Sequence, residues 1–330
     1  MTTTQIDLAP RTIAGTDLTV GRIVLGTMTF GTQLDDAGSE RAIHRARELG
    51  ITMFDSANSY GAGRSEEILG RVVKPFRDEV QVVTKVGSYR SSESEGPRLD
   101  RTSILRNCDA SLARLGLEHI DLYYLHMPDP HTPMAESLAA CQELVEAGKI
   151  RHLAFSNYAA WQMADAIHLA EANGWPRLRA AQPMYNLLSR RLEEEYVACT
   201  QHYGIANLVY NPLAGGLLTG KHRADHAPAE GTRFSQRQNY VERYWNQAQF
   251  DAVQRLTEVA AAADLTLIEL SLRWLLSRDH VHGVILGVSS LAHLESNVSA
   301  AEGPAPDADT LAAVDEVWAG LRGAAPAYNR

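Results

Sequence analysis

The chain has 330 residues, 45% of them hydrophobic and 22% charged, with a formal net charge of −9; it is long enough for one large core, and its acidity without a basic block excludes the usual nucleic-acid binder. The opening residues, MTTTQIDLAPRT, lack an apolar stretch, so no signal peptide is expected. No apolar run nears the ~20 residues of a membrane span, and three scattered cysteines, Cys108, Cys141 and Cys199, argue against a disulfide framework or zinc site and for a reduced, cytoplasmic setting.

Residues 11–20, RTIAGTDLTV, read as a β-hairpin turning at Gly15. The run 23–25 then opens a series of short segments, apolar throughout and rich in β-branched residues. The others are 52–54, 80–84, 120–125, 152–155, 180–182, 206–210 and 281–286. Unbroken apolar runs of this length suit parallel strands covered on both faces. Between them, 39–49, 102–115, 134–147, 159–172 and 191–202 show helical spacing, with Asp100 or Thr102 as N-cap of the second. Gly50, Gly116, Gly148, Gly174 and Gly204 stand just past these helices, where a left-handed cap is wanted. Residues 212–250 form a long polar insertion after the seventh strand. Helices near 249–263 and 266–278 precede the eighth, and a last helix follows a Pro/Ala/Asp stretch near 303–309.

Strand–helix alternation on this scale predicts an α/β fold, a (β/α)8 TIM barrel with an N-terminal β-hairpin and a long insertion after strand 7, in one domain spanning 1–330. An open doubly wound sheet would want GxGxxG after its first strand. The turn there reads Gly26-Thr27-Met28-Thr29-Phe30-Gly31 and does not supply it.

In a barrel, ionisable residues at the C-terminal ends of neighbouring strands converge. The second strand runs into Asp55 and Tyr60, the third ends at Lys85 and the fourth at His126. A free phenol titrates near 10, too high for easy proton exchange at neutral pH. An ammonium about 4 Å away favours the phenolate by roughly 4 kcal/mol at an effective dielectric of about 20. Asp55 would hold Lys85 charged, and His126 could orient a carbonyl. Singly, each has a plainer reading: a helix cap for Asp55, a snorkelling or edge residue for Lys85, a satisfied polar residue for His126. Their coincidence on successive strand ends favours a metal-free proton-transfer site.

Phe54–Gly61 (FDSANSYG), Val83-Thr84-Lys85 and Leu122–His126 (LYYLH) resemble the signature segments of aldo-keto reductases. That resemblance implies a (β/α)8 barrel, reduction of small carbonyl compounds with NADP(H), Tyr60 as general acid, Asp55 and Lys85 tuning it, and His126 placing the carbonyl. It also implies cofactor residues. Gly26, Thr27, Met28 and Asp55 lie after the first two strands. Ser156, Asn157 and Gln182 match carboxamide-side residues, and Tyr210 the aromatic that stacks on the nicotinamide. Asn211, Pro212, Leu213, Ala214, Gly215, Gly216, Leu217, Gly220 and Lys221 match the pyrophosphate segment. Gly287, Ser289, Ser290, His293 and Asn297 match the adenosine-phosphate clamp, at a helix N-terminus that favours anions. NADP-specific relatives often carry Arg or Lys in that clamp; here Arg233, in the insertion, could supply the charge. NYAAW, YNPLAGGLLTGK, Arg243-Tyr244-Trp245 and ILGVSSLAHLESN resemble the branch holding aflatoxin aldehyde and succinic semialdehyde reductases. By that likeness Tyr240, Arg243 and Arg330 join His126 as substrate residues, and a homodimer is expected.

Other readings remain beside this one. Gly215-x4-Gly220-Lys221 imitates a phosphate-binding P-loop, but His222 stands where Ser or Thr would ligate magnesium. A ketoreductase or dehydrogenase serving one metabolite would share the chemistry. A cofactor-binding regulatory subunit, like the potassium-channel β subunits of this superfamily, could retain the same four residues.

Overall fold

The computed structural model describes residues 5–88 and 98–324. Its central feature is a closed barrel of parallel strands: β3 (Ile23–Gly26), β4 (Met53–Asp55), β5 (Gln81–Val86), β6 (Ile120–Leu125), β7 (Ile150–Ser156), β8 (Leu178–Gln182), β9 (Ala206–Tyr210) and β10 (Val281–Gly287). They pair in chain order, and β10 closes on β3 through Val284 opposite Ile23 and Gly287 opposite Gly26. The expected (β/α)8 architecture is therefore present.

Successive strand residues point to opposite faces, and here both faces are covered. Val24, Met53, Val83, Leu122, Tyr124, Ala154, Ala180, Ala206 and Ile285 pack together inside the barrel. Leu25, Phe54, Val82, Tyr123, Phe155 and Val209 face the helices. This two-sided burial is why the strands read as continuous apolar runs. Alanines on β7, β8 and β9 leave room for the larger Tyr124 and Met53.

Below the strands, β1 (Arg11–Thr12) and β2 (Thr19–Val20) pair antiparallel, with Gly15 in the turn at φ 71°. Ile13, Leu18 and Val20 of this hairpin join the interior cluster and plug the N-terminal mouth. Buried Arg22 ties the plug down, donating to the carbonyl oxygens of Asp7, Leu276 and Val281.

The outer helices are α1 (Asp36–Glu48), α2 (Arg64–Val73), α3 (Arg101–Leu115), α4 (Met134–Glu146), α5 (Ala160–Asn173), α6 (Tyr196–Tyr203), α7 (Arg233–Gln236), α8 (Gln238–Tyr244), α9 (Gln247–Ala262), α10 (Leu267–Leu276), α11 (Leu291–Ala301) and α12 (Ala308–Arg322). Of the two candidate caps for α3, Asp100 is the one used, accepting from the Ser103 backbone N–H. The five glycines after helices adopt the expected positive φ, from 61° at Gly116 to 78° at Gly50.

Three expectations change. The third barrel strand extends to Val86, so Lys85 lies one residue inside its end. The helix expected at 191–202 is broken: a short 3-10 turn, Arg191–Glu193, precedes α6, and Glu195 between them has non-helical angles, φ −148° and ψ −45°. Glu193 is drawn away to Arg190 and to the Tyr185 hydroxyl. The insertion is also less polar in its role than in its composition. Phe234, Tyr240, Tyr244 and Phe250 are buried in it, and α7 and α8 fold across the barrel mouth. Among the described residues, no helix is long and apolar enough to cross a membrane.

Candidate active site

The C-terminal mouth of the barrel holds a cavity of about 850 Å³. Asp55, the last residue of β4, is 3% exposed, and Lys85 on β5 is fully buried. Lys85 Nζ donates to Asp55 Oδ1 at 2.5 Å and to the Ser56 carbonyl oxygen at 2.7 Å, and lies 3.5 Å from the Tyr60 hydroxyl. Tyr60 opens the short turn Tyr60–Gly63, where Gly61 and Ala62 at φ 56° and 54° turn the chain back into α2. His126 directly follows β6. Its backbone N–H binds Val86, and its ring stands edge-on to Tyr60 with centroids 6.2 Å apart. The four residues singled out by strand-end reasoning thus converge.

Their electrostatics depart from the expectation. Burial pushes the Tyr60 phenol above its ordinary value, and the opposing pull of Lys85 is the smaller influence. The protein packed around the phenol disfavours its charged form more than the ammonium favours it. For Lys85 the balance is reversed. Burial alone would depress the ammonium, but Asp55 and Tyr60 outweigh it and hold its pKa above the usual lysine value. The second Asp55 oxygen accepts from Gln182 Nε2 at 2.8 Å, so β8 reaches across the barrel to brace the ion pair.

The other residues expected at the cofactor divide by position. Gly26, Met28, Asp55, Ser156, Asn157, Gln182, Tyr210, Asn211, Pro212, Leu213, Gly215, Gly216, Lys221, Arg233, Gly287, Ser289, His293 and Asn297 line the cavity. Tyr210 donates to Asn157 Oδ1 at 2.7 Å, and Asn157 in turn donates to the His126 carbonyl oxygen at 2.9 Å, linking β9, β7 and β6 around the mouth. Thr27, Ala214 and Leu217 are fully buried and do not line it. Thr27 instead bonds the Asp55 carbonyl oxygen and the Ser65 hydroxyl, supporting the strand end from behind. Gly220 shapes the turn at φ 72°, and Ser290 caps α11 by accepting from His293 N. Neither lines the cavity.

Of the residues expected at the substrate, His126, Tyr240 and Arg243 line the cavity, while Arg330 lies outside the described residues. The Tyr240 ring is flanked by two guanidinium groups, Arg233 at 5.3 Å and Arg243 at 5.6 Å from its centroid. Gln33, Met127 and Glu230 also line the cavity and were not singled out. Met127 follows His126 directly, so extending the strand-end rule by one residue would have found it. Gln33 reaches Gln236 of α7 at 2.7 Å across the mouth, a contact without a local sequence signal.

The lining suits an anionic cofactor. Lys221, Arg233 and Arg243 face the cavity, and none forms an ion pair with a carboxylate among the described residues. In a chain of net charge −9, three uncompensated cations in one cleft favour a polyanion. The N-terminus of α11 adds backbone N–H groups of the kind that bind phosphate, and the left-handed backbone at Gly215 and Gly216 lines the cavity without a side chain. Among the described residues, no group of three or more His, Cys, Asp or Glu could hold a metal ion.

A parallel eight-stranded barrel carrying this Asp–Tyr–Lys–His set at its C-terminal mouth has the architecture of a carbonyl-reducing enzyme. The aldo/keto reductase family model matches residues 22–319, and the chain belongs to that family. It is 34% identical to aflatoxin B1 aldehyde reductase member 2 of Rattus norvegicus, covering 98% of this chain and 91% of the relative. It is also 34% identical to human aldo-keto reductase family 7 member A3, over 93% of this chain and 96% of that one. L-glyceraldehyde 3-phosphate reductase of Escherichia coli O157:H7 is 33% identical over 84% of this chain and 83% of its own length. The chain is an oxidoreductase of the aldo/keto reductase family.

Proposed function

We propose that the chain reduces aldehydes, semialdehydes and dialdehydes foremost, to alcohols with NADPH, and that Tyr60 is the proton donor. The observation that carries this reading is the Tyr60 hydroxyl at 3.5 Å from an ammonium that Asp55 holds at 2.5 Å, on the wall of the cavity. The bound cofactor would supply a hydride to the carbonyl carbon. Tyr60 gives its proton to the carbonyl oxygen, and Lys85 stabilises the phenolate left behind. Asp55, braced by Gln182, keeps Lys85 charged and aimed. His126 orients the carbonyl. The raised Tyr60 pKa suits this direction, because a general acid must be protonated at the working pH.

The relatives named for aflatoxin aldehyde and for glyceraldehyde 3-phosphate support an aldehyde with a polar or anionic tail. Arg243 is the described residue suited to hold such a tail, with Arg330 as its proposed partner. Arg233 and the cleft cations support NADPH over NADH. The proposal includes a cytoplasmic location, in keeping with free thiols at Cys108, Cys141 and Cys199. It also includes a homodimer, which sedimentation velocity distinguishes from a monomer.

The test is NADPH oxidation across a panel of aldehydes and ketones, with Tyr60→Phe alongside. Turnover of carboxylate-bearing aldehydes that collapses in Tyr60→Phe is expected. Full activity in that variant would falsify the mechanism.

A further inference from the structure

Tyr244, the last residue of α8, is 1% exposed, yet its hydroxyl lies at a junction of three segments. It accepts from Asn211 Nδ2 at 2.8 Å and from Asn186 Nδ2 at 3.1 Å, and donates to Met184 Sδ at 3.2 Å. Each partner leads elsewhere. Asn211 sits just after β9 at φ 63°, a left-handed conformation unusual for a side-chain-bearing residue. Its Oδ1 accepts from the Gly215 backbone N–H at 2.6 Å, and its carbonyl oxygen accepts from Asn186 at 3.0 Å. The strained backbone that starts the glycine-rich loop is thus pinned by its own side chain, and that side chain by Tyr244. On the other side, Met184 Sδ also accepts from Arg243 Nη1 at 3.3 Å, so one sulfur seats both the hydroxyl and the guanidinium of adjacent residues.

We propose that Tyr244 is a positioning residue that ties the substrate-facing Arg243 to the glycine-rich loop, through Met184 on one arm and Asn211 on the other. The inference rests on the reading of the cavity as a nicotinamide-cofactor and substrate site. Burial pushes the Tyr244 phenol up to about 12, so it remains a neutral donor and acceptor across the working range. Fully satisfied buried networks of this kind fix a single arrangement, and removal of the central member leaves several groups without partners.

The two arms give separate readouts. Tyr244→Phe keeps the ring and removes the hydroxyl. It is expected to weaken NADPH binding about tenfold by fluorescence titration and to raise KM for a carboxylate-bearing aldehyde, with kcat within about threefold of the parent. Met184→Leu removes only the sulfur acceptor. It is expected to raise KM for the carboxylate-bearing aldehyde several-fold over a neutral aldehyde of similar size, with NADPH affinity unchanged. A folded Tyr244→Phe that binds NADPH within twofold of the parent overturns the proposal. Should Tyr244→Phe melt out, Met184→Leu decides alone, and equal effects on both aldehydes overturn it. Arg243→Gln separates this from the broader reading. If that variant keeps the parent's preference for the carboxylate, the role of Arg243 fails, while the NADPH affinity of Tyr244→Phe still tests the loop arm.

Discussion

Two opposite electrostatic outcomes meet within 3.5 Å at Tyr60 and Lys85. Both groups are surrounded by protein, and burial disfavours the charged form of each. Lys85 has a carboxylate in direct contact and stays charged; Tyr60 has only the more distant ammonium and stays neutral. The pair is therefore poised as phenol and ammonium, the state that the proposed reduction needs. The sign for pH follows. A phenol with a raised pKa keeps its proton through neutrality, so kcat/KM for reduction should hold level and fall only above about pH 10, while alcohol oxidation, which needs the phenolate, should climb with pH. A reduction profile falling with an alkaline midpoint near 7 would contradict this. Replacing Lys85 by Met removes the lowering influence, so the oxidation limb should move to still higher pH. For Tyr60→Phe the expected loss in reduction kcat is about 10²- to 10⁴-fold, with NADPH affinity by titration within about twofold of the parent.

Among the elements, the glycine-rich loop after β9 carries the sharpest constraint. Gly215 has φ 71°, and a Cβ there would stand 2.6 Å from Tyr240 Cδ1. Gly215→Ala should therefore cost about 1–3 kcal/mol of backbone strain and push Tyr240 from between Arg233 and Arg243. Weaker NADPH binding and a higher KM for anionic aldehydes are expected together, and a variant with both unchanged would show that the loop and ring are not coupled. The sequence made some elements plain and hid others for physical reasons. Barrel strands buried on both faces leave unbroken apolar runs, and residues at their ends must point at the mouth, so Asp55, Lys85 and His126 were legible. Helices α7 and α8 are 4 and 7 residues long, too short to repeat a helical apolar pattern, and their insertion read only as polar. Thr27 and Gly26 are adjacent, yet the Thr27 hydroxyl turns back to support the strand end while Gly26, without a side chain, lines the cavity with its backbone. The junction at Tyr244 joins residues 33 and 58 positions away in sequence, and no local pattern marks it.

At the scale of the molecule, the closing plug and the proposed active site occupy opposite ends of the barrel. Every barrel strand is paired on both sides, so the sheet has no open edge. The hairpin plug and Arg22 close the N-terminal mouth. The C-terminal mouth is built of loops and short helices joined by a few hydrogen bonds, including Gln33 to Gln236 and Tyr210 to Asn157. A ligand that fills this mouth adds contacts available only to the folded chain. At a concentration one hundred times its dissociation constant it should stabilise folding by about 2.7 kcal/mol, a rise of several degrees in melting temperature for a domain of this size. NADPH should give a larger shift than NADH at equal concentration, because Arg233 faces the cavity without a carboxylate partner among the described residues and can meet the extra phosphate. The difference should shrink as salt rises, since salt screens the attraction of a solvent-accessible guanidinium for the extra phosphate. Arg233→Ala should lose the NADPH advantage and keep the NADH shift. If both shifts fall equally in that variant, Arg233 supports the mouth through its stacking on Tyr240 rather than reading the phosphate, and cofactor selectivity would then rest on Lys221 and the α11 terminus.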